Sequence, residues 1–285
     1  ELQISETDRF LLIQSETFFY VYNKLSGLFE QLSILGEDIL ETSMELNIWR
    51  APTDNDRKIK QEWMDAGYDR SNARAYDVQW EREGKCVRIY STMSVAAVAL
   101  QKVLDIKAVW EISNKGSISV KMQVKKNMEF PQLPRFGIRL FLKEEYENLK
   151  YYGLGPYESY RDKCKSCSHG LYDATVEEQH EDYIRPQENG SHTDCDYVII
   201  EKENQTVIAV SPKPFSFNVS YYTQEELTRK AHHYELEKSG NTIVCLDYAQ
   251  NGIGSNSCGP ELRAEYQLDE ETFIFEMKLL FRKEE

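Results

Sequence analysis

The chain has 285 residues, of which 41% are apolar and 12% aromatic, and its formal net charge is −14 at pH 7. A chain of this length can bury a large core, and its 18 tyrosines are typical of a strand-rich globular protein. The negative charge disfavours partners with phosphate backbones or anionic membrane surfaces, because both attract basic surfaces. We therefore predict no nucleic-acid partner and no membrane partner.

Cysteine content and hydropathy indicate the compartment. No apolar run approaches the length needed to cross a bilayer. Six cysteines are too sparse in a chain of this length to form a disulfide scaffold, and a reducing cytoplasm is the simplest setting. These are Cys86, Cys164, Cys167, Cys195, Cys245 and Cys258. We predict a cytoplasmic protein.

Alternation of apolar and polar residues predicts a chain built mostly of short strands. Residues 18–22 and 28–34 read as a hairpin around the turn at 23–27, and residues 110–112 and 118–124 as a second hairpin. The same period of two predicts further strands at residues 136–142, 197–200, 207–210, 215–219 and 273–279.

Helical patterns are few. Residues 58–66 are one candidate, because Ile59 and Trp63 are four apart and Gly67 follows as a stop. Residues 223–231 are the other, beginning with Thr223 and Glu226 at the spacing of a capping box. No linker or repeat divides the chain. We therefore predict an all-β fold, a large antiparallel β-sandwich forming a single domain over residues 1–285.

The densest motif is Ile48-Trp49-Arg50-Ala51-Pro52-Thr53-Asp54-Asn55-Asp56. Pro52 lacks an N–H and stops the preceding strand, and the acidic and amide side chains after it suit a turn or a helix cap. The composition favours a structural strand-to-helix loop. We predict that Trp49 is buried, that Arg50 donates to carbonyls or a carboxylate, and that Asp54, Asn55 and Asp56 are structural.

Two more motifs follow downstream. In Gly153-Leu154-Gly155-Pro156-Tyr157-Glu158-Ser159-Tyr160, Glu158 and Tyr160 suit either binding of sugar hydroxyls or structural attachment of a strand end. The other motif is Arg185-Pro186-Gln187-Glu188-Asn189-Gly190. It allows two interpretations, an internal ion pair between Arg185 and Glu188 or a ligand site that contains Asn189.

A case for catalysis within this chain is weak. Glycoside hydrolysis normally needs two carboxylates flanking the bond, and 48 acidic residues leave no pair that the sequence can nominate. No nucleophile–base motif is present. Cys164, Cys167, His192 and Cys195 have a superficial zinc-ligand spacing, but a chance cluster of thiols is the better interpretation. We predict no catalytic residue and no metal ligand.

The last motif is a loop of small polar residues at 251–260. Its glycine content and length suit either a plain surface loop or an arm that reaches a neighbouring domain. We expect this loop to be among the more mobile or crystal-contact-dependent segments of the isolated chain, with Asn256 and Cys258 accessible, because small polar residues bury too little apolar surface to offset the entropy of ordering them. Asn256, Ser257 and Cys258 belong to this loop.

These motifs, in this order, resemble the C-terminal domain of the large bacterial β-galactosidases of glycoside hydrolase family 2. The resemblance includes the turn at 23–27, residues 49–56, 153–160 and 183–190, Asp247, and the Gly252-Ile253-Gly254 loop. It implies a β-sandwich similar to that of galactose mutarotases. Some members carry a sugar-stacking tryptophan where this chain has Cys258. Ser159 and Arg161 also depart from the common asparagine and proline.

The resemblance further implies that the catalytic glutamates and metal ligands lie in a separate (β/α)₈ barrel, where the parent enzyme uses Mg²⁺ and Na⁺. By the same resemblance, this chain would support that barrel, be inactive alone and belong to a homo-oligomeric enzyme. It would edge the β-galactoside cleft with the loop after Gly254, which makes Asn256, Ser257 and Cys258 the candidate substrate-cleft residues. The alternatives are a free-standing mutarotase-type epimerase, which needs an acid–base His and Glu, and a carbohydrate-binding module with exposed aromatics. His232-His233 is the conspicuous histidine pair for the epimerase.

Overall fold

The computed structural model describes residues 2–254 and 257–283, and antiparallel strands dominate it. The predicted large β-sandwich is confirmed. Five strands form a meander in the order β1-β2-β3-β4-β5. They are β1 (Gln3–Glu6), β2 (Phe10–Gln14), β3 (Phe18–Asn23), β4 (Leu28–Ile34) and β5 (Glu37–Asp38).

A second sheet contains twelve strands, and its main path runs β13-β12-β14-β15-β17-β10-β9-β8-β7. A side branch joins β15 through β16 and β11 to β6. The strands are β6 (Leu40–Asn47), β7 (Asn72–Glu83), β8 (Cys86–Ala96), β9 (Leu104–Ser113), β10 (Ile118–Lys126), β11 (Arg135–Lys143), β12 (Asn148–Gly155), β13 (Ser168–Thr175), β14 (His192–Lys202), β15 (Gln205–Ser220), β16 (Asn241–Gln250) and β17 (Thr272–Lys283).

The branch occurs within β15, for which the sequence predicted two separate strands. Residues 205–210 pair with β17, whereas residues 216–220 pair with β16. Pro212 and Pro214 lie between these two halves and cannot donate backbone hydrogen bonds. The prolines therefore mark the place where one continuous strand changes partner, rather than the place where a strand ends.

Large aromatic side chains join the two sheets. The Phe29 ring packs edge-on against Trp110 with centroids 5.1 Å apart, and Tyr20 contacts Phe281 at 6.1 Å. The Tyr20 hydroxyl also donates to the Gly116 carbonyl at 2.6 Å. These contacts bury the alternate residues that the period of two assigned to the core.

Both predicted helices are present and are shorter than expected. They are α1 (Ile59–Asp65) and α2 (Gln224–Arg229). The Thr223 hydroxyl caps α2 by accepting from the Glu226 N–H at 3.0 Å. Within the described part of the chain, neither helix has the length and apolar character that crossing a bilayer would require.

Candidate functional site

The sequence motifs that lie far apart along the chain meet at one end of the sandwich. We call residues 48–56, 153–160, 183–190 and 247–254 the loop cluster. The Glu188 N–H donates to the Ala51 carbonyl at 2.9 Å, and the Asp54 N–H donates to the Gln187 side chain at 2.8 Å. These bonds join the first and third motifs directly.

Arg50 connects the first motif to the fourth. Its fully buried guanidinium binds both oxygens of Asp56, at 3.1 and 2.7 Å, and donates to the carbonyls of Asn251 and Gly252. Trp49 is 5% exposed, so its predicted burial and the predicted partners of Arg50 are confirmed. A buried guanidinium with this many acceptors holds the two loops in one geometry.

Residues 251–254 are held from both sides. The Asn55 amide donates to the Ile253 carbonyl at 2.9 Å and to that of Gly254. The Asp162 carboxylate accepts from the N–H groups of Ile253 and Gly254 at 3.0 and 2.6 Å. Sequence reasoning missed Asp162, because no motif marks a carboxylate two residues beyond Tyr160.

Glu188 belongs to a buried ion cluster beneath the loops. Arg135 binds both oxygens of Asp247, at 3.2 and 2.6 Å, and one oxygen of Glu188 at 3.1 Å. An internal ion pair between Arg185 and Glu188, one of the two interpretations of this motif, does not form. Arg185 is exposed, whereas Glu188 is buried beside the guanidinium of Arg135. Burial raises the pKa of Asp247 to about 6, although Arg135 acts in the opposite direction.

Glu158 joins the second motif to the third. It is 7% exposed and accepts from Lys163 at 2.6 Å, from the Gly190 N–H at 2.9 Å and from the Tyr183 hydroxyl. Tyr160 is 1% exposed. Since both side chains are buried and Glu158 is fully engaged, the geometry favours the structural interpretation of this motif over binding of sugar hydroxyls.

The third motif is buried except at its start. The Asn189 side chain accepts from the Glu181 N–H at 3.0 Å and donates to the Gln187 carbonyl at 2.9 Å, so it shapes its own loop. Ile184 is 81% exposed, and Tyr157 of the second motif is 63% exposed. Arg185 is exposed as well. The outer side of the loop cluster therefore presents apolar side chains to solvent.

The loop of small polar residues continues after residue 254, beyond the fourth motif. Cys258 is exposed and Ser257 is half-buried, whereas Asn256 lies outside the described residues. The predicted accessibility of Cys258 is confirmed, whereas the start of the loop is anchored. Asn251 is 2% exposed because its backbone N–H donates to Pro134 and its side chain accepts from the Leu268 N–H.

The four residues weighed as zinc ligands do not form a metal centre. His192 and Cys195 are buried on β14, and the Cys167 thiol lies 3.3 Å from the Tyr157 carbonyl. Across the described ranges, no three His, Cys, Asp or Glu side chains are placed to hold a metal ion.

Comparison with known proteins gives a consistent result. Residues 14–279 match the family described as "Beta galactosidase small chain". The β-galactosidase of Actinobacillus pleuropneumoniae is 41% identical over 271 residues, which is 95% of this chain and 27% of that protein. That of Staphylococcus xylosus is 36% identical over 284 residues, which is 99% of this chain and 28% of that protein. The chain thus spans little more than a quarter of these relatives.

Among solved structures, galactose 1-epimerase from Lactobacillus acidophilus has a TM-score of 0.54 at 6% identity, with 100% of this chain and 99% of that chain covered. At this identity the similarity concerns the fold alone, and the fold is the mutarotase-like sandwich. The family match covers nearly the whole chain and contains all four motifs of the loop cluster. The chain belongs to the β-galactosidase small chain family.

Proposed function

We propose that this chain is the C-terminal sandwich domain of a β-galactosidase of glycoside hydrolase family 2. In the longer enzyme it packs on the (β/α)₈ barrel and edges the cleft for terminal β-D-galactosides such as lactose. The observation that carries this proposal is the anchored fourth motif. Arg50, Asn55 and Asp162 hold residues 251–254, and Cys258, a few residues further along the chain, is exposed.

Firm attachment of residues 251–254 suits a loop that edges a substrate cleft. A residue that positions substrate must stay close to its productive place, and rigid supporting bonds provide this. A groove of about 360 Å³ borders the same segment, lined by Asn55, Lys58, Glu62, Gly252 and Glu261 among others. Its polar lining suits a hydroxyl-rich ligand or the polar surface of a neighbouring domain.

The four buried carboxylates of the loop cluster are each paired with a cation and are not available for glycoside hydrolysis. That reaction needs two carboxyl groups about 5 Å apart or more, facing the sugar from both sides. Asp56 is bound by Arg50, Glu158 by Lys163, and Glu188 and Asp247 by Arg135. This supports a division of labour in which the barrel supplies the catalytic pair and this chain supplies structure and the rim.

The proposal also includes the metal ions, the cellular compartment and the subunit contacts of the longer enzyme. Mg²⁺ and Na⁺ would belong to the barrel, and we assign no residue of this chain to either ion. All six cysteines are free thiols, which supports a cytoplasmic enzyme. The exposed Ile184 and Tyr157 would face the barrel or another subunit of a homo-oligomer.

We expect the purified chain to show no turnover of a chromogenic β-galactoside, because the catalytic pair lies elsewhere. Release of the chromophore is followed at high protein concentration, with a complete β-galactosidase as the positive control. Turnover that disappears when one carboxylate of this chain is replaced would contradict the proposal. Mutarotation of α-D-galactose, followed by polarimetry, would instead support the epimerase alternative.

In the longer enzyme, Asp162→Ala is expected to raise KM for the β-galactoside about tenfold with a smaller change in kcat. The reason is the loss of the two bonds from Asp162 to the backbone of residues 253 and 254. Steady-state kinetics at a temperature where the variant is folded, established by its unfolding midpoint, measures this.

Asp173→Ala is the matched control, because the Asp173 side chain is 68% exposed on the edge strand β13. Its KM should equal that of the unmodified enzyme. If Asp162→Ala also leaves KM unchanged, the anchored segment does not edge the cleft.

A further inference from the structure

Cys164 and Cys167 lie at the two ends of one tight turn. The Cys167 N–H donates to the Cys164 carbonyl at 3.0 Å, which closes a four-residue turn through Lys165 and Ser166. In such turns the first and last Cα atoms are less than about 7 Å apart. A disulfide joins Cα atoms that are roughly 4.4–6.8 Å apart, so the turn brings these cysteines to a distance that a disulfide can bridge.

The other four thiols differ from this pair. Cys195 and Cys245 are buried, and burial raises the pKa of the Cys245 thiol to about 12. Cys86 on β8 is half-buried like the pair, and Cys258 is exposed beyond the fourth motif, but neither has a second cysteine within three residues along the chain. Cys164 and Cys167 are half-buried and therefore reachable by a small reagent without unfolding.

We propose that Cys164 and Cys167 form a redox modification site, a dithiol that a small disulfide such as oxidised glutathione converts into an intramolecular disulfide. One cysteine thiolate attacks a glutathione sulfur, which forms a mixed disulfide and releases one glutathione thiolate. The second cysteine thiolate then attacks the protein sulfur of that mixed disulfide and releases the second glutathione. The two protons lost by the cysteines end on two molecules of reduced glutathione.

Oxidation at this site acts on the second motif. The Cys167 thiol donates to the Tyr157 carbonyl at 3.3 Å, and a disulfide sulfur has no hydrogen to donate. The turn follows Lys163, which binds Glu158, and Asp162, which binds the backbone of residue 254. The modification therefore removes one hydrogen bond to the backbone of the second motif, on a turn that begins two residues after Asp162.

The test exposes the folded chain at pH 8 to an excess of oxidised glutathione, followed by alkylation and mass spectrometry of peptides. We expect a Cys164–Cys167 disulfide with no retained glutathione, and unmodified Cys195 and Cys245. The disulfide should form more than about tenfold faster than those buried thiols are labelled, because they react only after local opening.

Three variants sharpen the result. Cys164→Ser and Cys167→Ser should each leave the remaining cysteine as a stable mixed disulfide with glutathione, whereas Cys258→Ser should leave disulfide formation unchanged. The proposal is overturned if both cysteines stay alkylated as free thiols, or if either one retains glutathione in the unmodified chain. It is also overturned if the disulfide forms no faster than Cys195 and Cys245 are labelled, since oxidation would then require unfolding.

Discussion

Replacing Arg135 with methionine is expected to lower the free energy of unfolding by about 3–5 kcal/mol at pH 7. Arg135 is fully buried, and its guanidinium is shared by Asp247, Glu188 and the Asn218 side chain. Its removal leaves two buried carboxylates with no cation, and each must then be protonated or hydrated at the expense of the fold. Urea unfolding followed by circular dichroism measures the difference.

Arg139→Met provides a control on the same strand. Arg139 is 7% exposed and also binds two carboxylates, but the side chains of those partners, Glu45 and Glu225, are 48% and 55% exposed. They remain hydrated when the guanidinium is removed, so we expect a loss of about 1 kcal/mol. Equal losses for the two variants would show that burial of the carboxylates is not the cause. Asp247→Asn combined with Arg135→Met should recover part of the larger loss.

Much of the fold could be predicted from local patterns. Alternation along residues 118–124 located β10, because a strand with one buried face repeats every two residues. The apolar residues at every second position of 136–142 also located β11, although residues 135–140 are buried on both faces of that strand. The continuity of β15 could not be predicted, because Pro212 and Pro214 locally predict the end of a strand. Whether a proline ends a strand or only changes its partner depends on which strands lie on either side, and that is a tertiary property.

The site shows the same division. The sequence nominated Arg50 and Glu188 as residues needing partners, because a buried charge must be compensated. Arg50 binds Asp56, which lies six residues further along the chain. Glu188 instead binds Arg135, 53 residues earlier, which carries no local sign of its role. Polar residues can be recognised in a motif, but their distant partners are decided by the sheet topology.

Acid is expected to destabilise the chain through His192. This side chain is 1% exposed, its Nδ1 lies 3.0 Å from the Leu154 carbonyl, and its ring packs on Tyr151 and Phe217. Burial lowers the pKa of His192 to about 4, from an ordinary value of about 6.5. Between these values the unfolded chain binds a proton that the folded chain does not, so stability falls as pH falls through this range.

The size of this effect follows from the shift in pKa. A pKa that is about 2.5 lower in the folded chain than in the unfolded chain corresponds to about 3 kcal/mol of folding stability. This stability is present in full above pH 6.5 and is lost by about pH 4. The free energy of unfolding, measured in urea from pH 7.5 to pH 4, should fall less steeply for His192→Gln than for the unmodified chain. Asp247, whose pKa is raised, contributes with the opposite sign, but it is common to both proteins and cancels in their difference.

His232→Gln is the control for this titration, because the His232 side chain is 49% exposed and does not pack in the core. Its stability should follow the same pH dependence as the unmodified chain. If His192→Gln also follows it, His192 is protonated in the folded chain as readily as in the unfolded one. The interior around Leu154 and Phe217 would then have to accommodate a charge, contrary to the cost expected for a buried imidazolium among aromatic rings.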